Sequence, residues 1–353
     1  MKKLFALVLA LALCLTAFAA TAEVEGVKLG VILLHDEDST YDLNFINGVN
    51  EAVAALGLSE DQVIMKRNVA ESNDCYEAAL DLVDEGCNLI FANSFGHETY
   101  ILAAAKECPD VQFCHATGTM AHTEKLDNFH NAFAAISAGR YLAAKSVCPD
   151  VQMKVQFTGS WYDEKEEKTA AEALINAGCD LISQHADSMG APTACENAGI
   201  PNVSYNGSPL ASCPNTFIVS SRINWAPYFQ YIVNQVAAGE AIATDWTGTI
   251  ATGSVVLTDV NTTAAAAGTV EAIAEAKAAF EKGEIKVFNT AADNFMLVGG
   301  AKLESYMADV DTDAAFAKDT EVVFDGFFHE SEFRSAPYFD VQLDGIELLN
   351  AKY

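Results

Sequence analysis

The sequence predicts an α/β protein built as two similar lobes, each a mostly parallel sheet covered by helices. The first observation behind this is a duplication. Residues 178–188 (Gly178-Cys179-Asp180-Leu181-Ile182-Ser183 and onward) restate, 92 positions later, Gly86-Cys87-Asn88-Leu89-Ile90-Phe91. The match extends upstream, where Ala170, Ala171, Leu174, Ile175 and Gly178 lie over Ala78, Ala79, Leu82, Val83 and Gly86. Each copy carries apolar pairs at helical spacing, a glycine fit to end the helix, and a short apolar run. The second observation is that such runs alternate with helical patterns along the chain, which favours a parallel sheet covered on both faces. The third is that nearly every predicted strand ends in residues able to touch a ligand, which is where open parallel sheets bind one.

Taken in order, residues 28–34 form a buried strand that runs into the polar loop His35-Asp36-Glu37-Asp38-Ser39. Residues 44–56 repeat Phe45, Val49 and Val53 at helical intervals, and Gly57 stops the helix. A strand at 62–69 follows, and Ser72 or Asp74 caps the helix of the first repeat copy. Next come a strand at 88–93, a helix at 98–106, strands at 111–116 and 128–133, and a helix at 135–147. The second lobe opens with a strand at 151–158, after which Asp163 and Glu166 form a capping box for the second repeat helix. Strands at 181–186, 202–205 and 217–221 lead to an amphipathic helix at 225–237. Residues 247–257 read as strand and crossover, and 269–282 as a long Ala/Glu/Lys-rich helix. The aromatic-rich remainder (Phe324, Phe327, Phe328, Phe333, Tyr338, Phe339) is expected to pack irregularly onto one lobe. The expected division is a first lobe over 23–133, joined by part of 258–300, a second lobe over 134–257, and an irregular segment over 301–353.

At 353 residues the chain has room for two domains, and 51% hydrophobic residues supply a large core. Only 20 Lys and Arg face 49 Asp and Glu, a formal charge of −29. That field repels phosphate backbones, so nucleic acid is not an expected partner. Residues 1–22 have the parts of an export signal in order: basic Lys2-Lys3, an apolar stretch over 4–15, and Ala20-Thr21-Ala22 before Glu23. Its removal, with Lys2 and Lys3, takes the charge from −29 to −31. Cys14 raises a lipid-anchor alternative, disfavoured by the bulky Leu13 before it. Of the eight other cysteines, Cys87 and Cys179 are equivalent repeat positions, suited to small buried thiols. Cys108–Cys114 or Cys195–Cys213 are the pairs best placed for a bridge, should one form.

The predicted strand ends carry His35-Asp36, Ser94-Phe95-Gly96-His97, His115-Ala116-Thr117, Ser160-Trp161-Tyr162-Asp163, His185-Ala186-Asp187, Asn206-Gly207 and Asn224-Trp225. Two such edges facing one another would enclose a cleft in which aromatic rings stack on a flat heterocycle while amides and carboxylates meet its edge. Each residue also suits a plainer role: Trp161 and Trp225 in a core, Asp163 as a helix cap, Asp36 in a solvated loop. No histidine pair shows the helix spacing of a metal site, and no metal or cofactor is expected. A Gly-x-Ser-x-Gly elbow, a P-loop and a Gly-x-Gly-x-x-Gly turn are all missing, so catalysis is not the expected role.

The ordered series resembles the basic membrane protein (BMP), or PnrA-like, family of substrate-binding proteins of ABC importers. The residues that carry it are 29–36, Asp42-Leu43-Asn44-Phe45-Ile46-Asn47-Gly48, 90–96, Asn128-Phe129-His130-Asn131-Ala132-Phe133 and Gly139-Arg140-Tyr141-Leu142-Ala143. Thr158-Gly159-Ser160-Trp161-Tyr162-Asp163, Gln184-His185-Ala186-Asp187-Ser188 and Asn224-Trp225-Ala226-Pro227-Tyr228 complete it. The resemblance implies a two-lobed, type I periplasmic-binding-protein-like fold outside the cytoplasm. It also implies a purine base or nucleoside as ligand, a membrane permease as partner, and a monomer. It makes Trp161 and Trp225 the stacking candidates, with Tyr41 or Phe95 opposite, and Asp187, Asn206, Ser94, Asp36 and His185 the polar ones. A sugar-binding protein and an exported nucleoside-acting enzyme are the alternatives. One departure stands out: relatives insert a strand and a helix after the position of Ala143, whereas here Ala143-Ala144 runs straight into Lys145-Ser146-Val147. The second lobe is therefore expected to lack one βα unit at its centre, leaving a slot between strands.

Overall fold

The structure, a computed structural model, describes residues 24–134, 139–311, 315 and 317–350. The export signal and Cys14 fall outside the described residues, as does the start of the helix expected at 135.

The first lobe follows the expected alternation closely. Strands β1 (Leu29–Ile32), β2 (Val63–Lys66), β3 (Leu89–Ala92), β4 (Gln112–Ala116) and β5 (Phe129–Ala134) pair in parallel in the order β5-β4-β3-β1-β2. Every residue of β1 and β3 is buried, as apolar strands covered on both faces should be. Helix α1 (Thr40–Leu56) starts earlier than its periodicity indicates, because Ser39 accepts a hydrogen bond from the Asp42 amide and caps it at Thr40. Helices α2 (Asn73–Asp84), capped by Ser72, and α3 (Glu98–Glu107) cover the other face, and a single turn, α4 (Ala121–Glu124), precedes β5.

Helix α5 (Arg140–Val147) and the short strand β6 (Met153–Val155) begin the second lobe. The duplicated unit then appears as α6 (Glu164–Asn176) and β7 (Ile182–Ser183), matching α2 and β3. Gly86 and Gly178, which follow the paired helices, both adopt the left-handed backbone that only glycine enters freely (φ +88° and +84°). Helix α7 (Gly190–Ala198), β8 (Asn202–Tyr205) and β9 (Phe217–Ile223) complete a parallel run β9-β8-β7. The lobes share a further detail. Thr117 after β4 and Asn206 after β8 both have positive φ, and each sends its amide to the neighbouring strand, at Ala132 and Ser221.

The chain then recrosses earlier than expected. Helix α8 (Ala226–Ala238) packs on α1, and β10 (Asp245–Gly248) pairs in parallel with β5, so residues 226–248 belong to the first sheet and its helical layer. The expected assignment of 134–257 to the second lobe is corrected on this point. The cause is the apolar face of α8 (Tyr228, Phe229, Ile232, Val233), which completes the first lobe's core against Val31, Phe45 and Phe91. Strand β11 (Val255–Leu257) returns to the second sheet, antiparallel to β9. Helix α9 (Thr269–Glu281) buries none of its residues.

In the second lobe, among the described residues, β7 bonds to β8 alone, and β6 stands outside that sheet. The partner of β6 is β16 (Ile346–Leu348), in parallel. Between α9 and β16 the described residues form four two-residue strands: β12 (Met307–Ala308), β13 (Thr320–Glu321), β14 (Val323–Phe324) and β15 (Phe327–Phe328). Apolar residues of this stretch, from Phe288 and Phe295 to Phe328 and Leu343, build their own cluster with Tyr141, Leu142 and Met153, which places them on α5 and β6. They also reach the first lobe, where Ser335 Oγ donates to the Asp245 carboxylate (2.6 Å) and Thr247 Oγ1 donates to the Ser331 carbonyl (3.4 Å). All eight described cysteines are free thiols, Cys148 exposed and Cys75, Cys87, Cys114, Cys195 and Cys213 buried. No described helix is long and apolar enough to cross a membrane.

Candidate functional site

The carboxyl ends of the two sheets meet around Asp187. In the second lobe, β7 delivers this aspartate three residues beyond Gln184, and Asn206, held at positive φ after β8, donates its amide to the carboxylate at 2.9 Å. Burial pushes the Asp187 carboxyl up to about 7, against the Asn206 hydrogen bond that lowers it; the nearby charges of Glu167 and Asp42 add to the rise. From the first lobe, Thr40 at the start of α1 donates its hydroxyl to the Asp187 carbonyl at 2.9 Å. Gly207 packs against Thr40 so tightly that an added Cβ would sit 2.6 Å from the threonine methyl. Tyr41, the next residue, donates to the Asn93 carbonyl at 2.7 Å, and burial raises its phenol well above the usual range, with the charges of Asp42 and Asp187 adding.

The void bounded by Thr40, Gln184, Asp187, Tyr205 and Gly207 measures about 40 Å³, room for a water rather than for a heterocycle. Ligand entry at this junction therefore requires the lobes to part. A larger concavity of about 480 Å³, lined by Val24, Gly26, Lys28, Gln62 and Gly86, lies at the opposite, amino ends of β1 to β3.

The residues proposed from sequence separate into four groups. Tyr41, Asp187 and Asn206 gather at the inter-lobe junction. His185 stacks on Tyr205 (centroids 4.2 Å apart, 21° between planes) beside it. Asp36, Ser94 and Phe95 line the first lobe's rim. Asp36 accepts from Asn68 Nδ2 and the Asp38 amide, contacts that hold its carboxyl below the ordinary value. Ser94 is buried, donates to Glu71, and its carbonyl accepts from His115 Nε2 at 2.7 Å, while Phe95 is 56% exposed. Burial drives His115 down to about 4, so it is neutral. Trp161 is 70% exposed at the loop before α6, and its carbonyl accepts from the Asp187 amide at 3.0 Å.

Trp225 is corrected as a stacking residue. It is 1% exposed, lies parallel to Phe45 at 4.4 Å and edge-on to Phe91 at 5.8 Å, and so serves the first lobe's core. It goes there because it leads directly into α8, which the apolar match with α1 draws into that lobe. Asp163 takes its plainer role as well, capping α6 through the Glu166 amide at 2.9 Å. The return bond of the capping box comes from Glu167, which accepts from the Asp163 amide, rather than from Glu166. Thr40, Tyr205 and Arg140 were not singled out as ligand-facing; nothing in their local pattern separates them from ordinary helix-start and strand residues. Among the described residues no group of three His, Cys, Asp or Glu is arranged to hold a metal ion.

The model of the family described as "ABC transporter substrate-binding protein PnrA-like" matches residues 135–288. A purine-binding protein of Brucella abortus (strain 2308) is 30% identical over 246 residues, covering 60% of this chain and 69% of that one. A putative ABC transporter glucose-binding protein of Haloferax volcanii is 26% identical over 200 residues, 47% of this chain and 50% of its own length. Among solved structures, an ABC transporter solute-binding protein from Conexibacter woesei superposes with a TM-score of 0.61 at 16% identity, covering 74% of this chain and 98% of that one. That likeness concerns the fold, while the sequence relationship with the Brucella protein reaches further. On these grounds the chain belongs to the Bmp family of PnrA-like ABC transporter substrate-binding proteins.

Proposed function

We propose that this protein is exported, closes its two lobes over a purine base or nucleoside, and presents it to an ABC permease. The observation that carries the reading is the buried Asp187–Asn206 pair at the inter-lobe junction, on which the first lobe closes through Thr40. A carboxyl near neutrality can donate from its protonated form or accept from its ionised form. Beside an amide that does both, it suits a heterocycle edge that alternates donors and acceptors. Trp161, exposed at the rim and joined through its backbone to Asp187, supplies the aromatic face once the lobes part and reclose around the guest. Closure requires only contacts that are better in the shut form than in the open one, and no chemical step.

The test is thermal denaturation of the purified chain with adenine, guanosine, inosine, ribose and glucose. Micromolar binding at millimolar ligand stabilises by about 4 kcal/mol, a clear shift of the midpoint. A shift with purines and not with sugars supports the reading. A shift with glucose alone would favour the sugar ligand of the Haloferax relative's description. Product formation from inosine or adenosine would reveal an enzyme instead.

A further inference from the structure

Arg140, the first residue of α5, lays its side chain across the carboxyl edge of the second sheet. Its Nη1 donates to Ser183 Oγ at 2.6 Å and to the Gln184 carbonyl at 2.7 Å, which uses both hydrogens on that nitrogen. Nη2 reaches Ser221 Oγ only at 3.4 Å. No described residue accepts from the Nε–H, and none of the ion pairs among the described residues includes Arg140. The guanidinium is thus fixed in plane by three neutral groups and has no carboxylate partner among the described residues, in a chain where 49 acidic residues outnumber 20 basic ones. A cation drawn partly out of water is costly unless an anion or a full set of hydrogen bonds offsets the loss.

The two under-used nitrogens, Nε and Nη2, lie along one edge of the guanidinium. That edge takes a carboxylate or phosphate with two parallel hydrogen bonds. Its surroundings suit an anion. Ser221 contributes a hydroxyl, and the His185 ring, stacked on Tyr205, is kept neutral by burial and by the Arg140 charge, so the guanidinium is the cation of this edge. Tyr205 immediately precedes Asn206, which holds Asp187, so the arginine edge and the acidic anchor stand on neighbouring strand ends of one sheet. A ligand spanning both would have a neutral or basic end on Asp187 and an anionic end on Arg140.

We propose that Arg140 is the anion-recognising end of the inter-lobe site and that its Nε–Nη2 edge binds a carboxylate or phosphate carried by the ligand. This rests on the cleft being the binding site, and the experiment separates the two ideas. Calorimetric titrations compare adenosine, adenosine 5′-monophosphate and adenosine 5′-carboxylic acid, the two acids distinguishing phosphate from carboxylate. The expected result is at least tenfold tighter binding of one acid than of adenosine, with that advantage erased in both Arg140→Gln and Arg140→Lys. Lysine keeps the charge but not the two-pronged edge, so it serves should the glutamine variant fold poorly. Adenosine binding as tightly as both acids to the unaltered protein would overturn the proposal and leave Arg140 a brace for β7; so would an advantage that survives both substitutions. If none of the three binds, orthophosphate and acetate are titrated alone. An Arg140-dependent thermal shift with either keeps the anion site and removes the purine reading, while no shift with either removes the anion site as well.

Discussion

At the scale of single residues, the two tryptophans make opposite predictions from the same side chain. Trp225 is enclosed by Phe45, Phe91 and Tyr228, so Trp225→Ala should cost about 3–5 kcal/mol of stability, read as a lower denaturant midpoint. Trp161 is largely in water, so Trp161→Ala should leave stability within about 0.5 kcal/mol while removing the purine-induced thermal shift. Asp187 makes a pH prediction. Its folded-state value of about 7 lies above the ~3.9 of an unfolded chain, so the protonated form favours the fold. Below about pH 4 both states are protonated and the group is neutral in its effect; from roughly pH 4 to 7 the folded state loses stability as pH rises; above that the loss is complete. Urea titrations from pH 4.5 to 7.5 should show a drop, on the order of a few kcal/mol, that is absent in Asp187→Asn. A flat difference between the two proteins across that range would refute the buried-carboxyl description.

At the scale of elements, α1 and α8 approach so closely at Gly48 that an added Cβ would lie 2.7 Å from the Trp225 Cβ. Gly48→Ala should therefore destabilise by about 1–3 kcal/mol, an overpacking effect that shrinking the partner in Gly48→Ala/Trp225→Leu would partly relieve. This contact also explains what the sequence could and could not convey. The strands and helices of the first lobe were legible because their apolar spacing is local, and β8 was placed to the residue. The halves of the duplication announced their own equivalence, down to glycines at matching helix ends. The return of α8 was not legible: an amphipathic helix records that it has a buried face, not which lobe buries it. The same gap in local information put Trp225 among the ligand-facing residues. Asp187 and Asn206 could be named as candidates because they follow apolar runs, where strands end, whereas Tyr41 was reachable only through the family resemblance. Thr40 and Arg140 acquire their contacts through residues 147 and 43 or more positions away, and no window along the chain holds both partners.

At the scale of the whole molecule, the lobes are unequal. The strands β1 and β3 are buried throughout, whereas β6 is half-exposed and β16 largely open to solvent. Amide hydrogen exchange should accordingly be slowest in β1, β3 and β4 and markedly faster in β6, β7 and β16. Equal protection across both sheets would mean that the second lobe is braced in some other way. The stretch after α9 bears on this asymmetry, because it grips Asp245 in one lobe and β6 in the other. Suppose a protease nicks the solvent-facing chain near Lys318, whose ammonium is held by the side chains of Tyr306 and Asp340. The severed tail would still be clamped at both of its anchor points. Such a cut molecule should migrate as one particle under native conditions and come apart only in denaturant, behaving as a split protein whose pieces reassemble on their own.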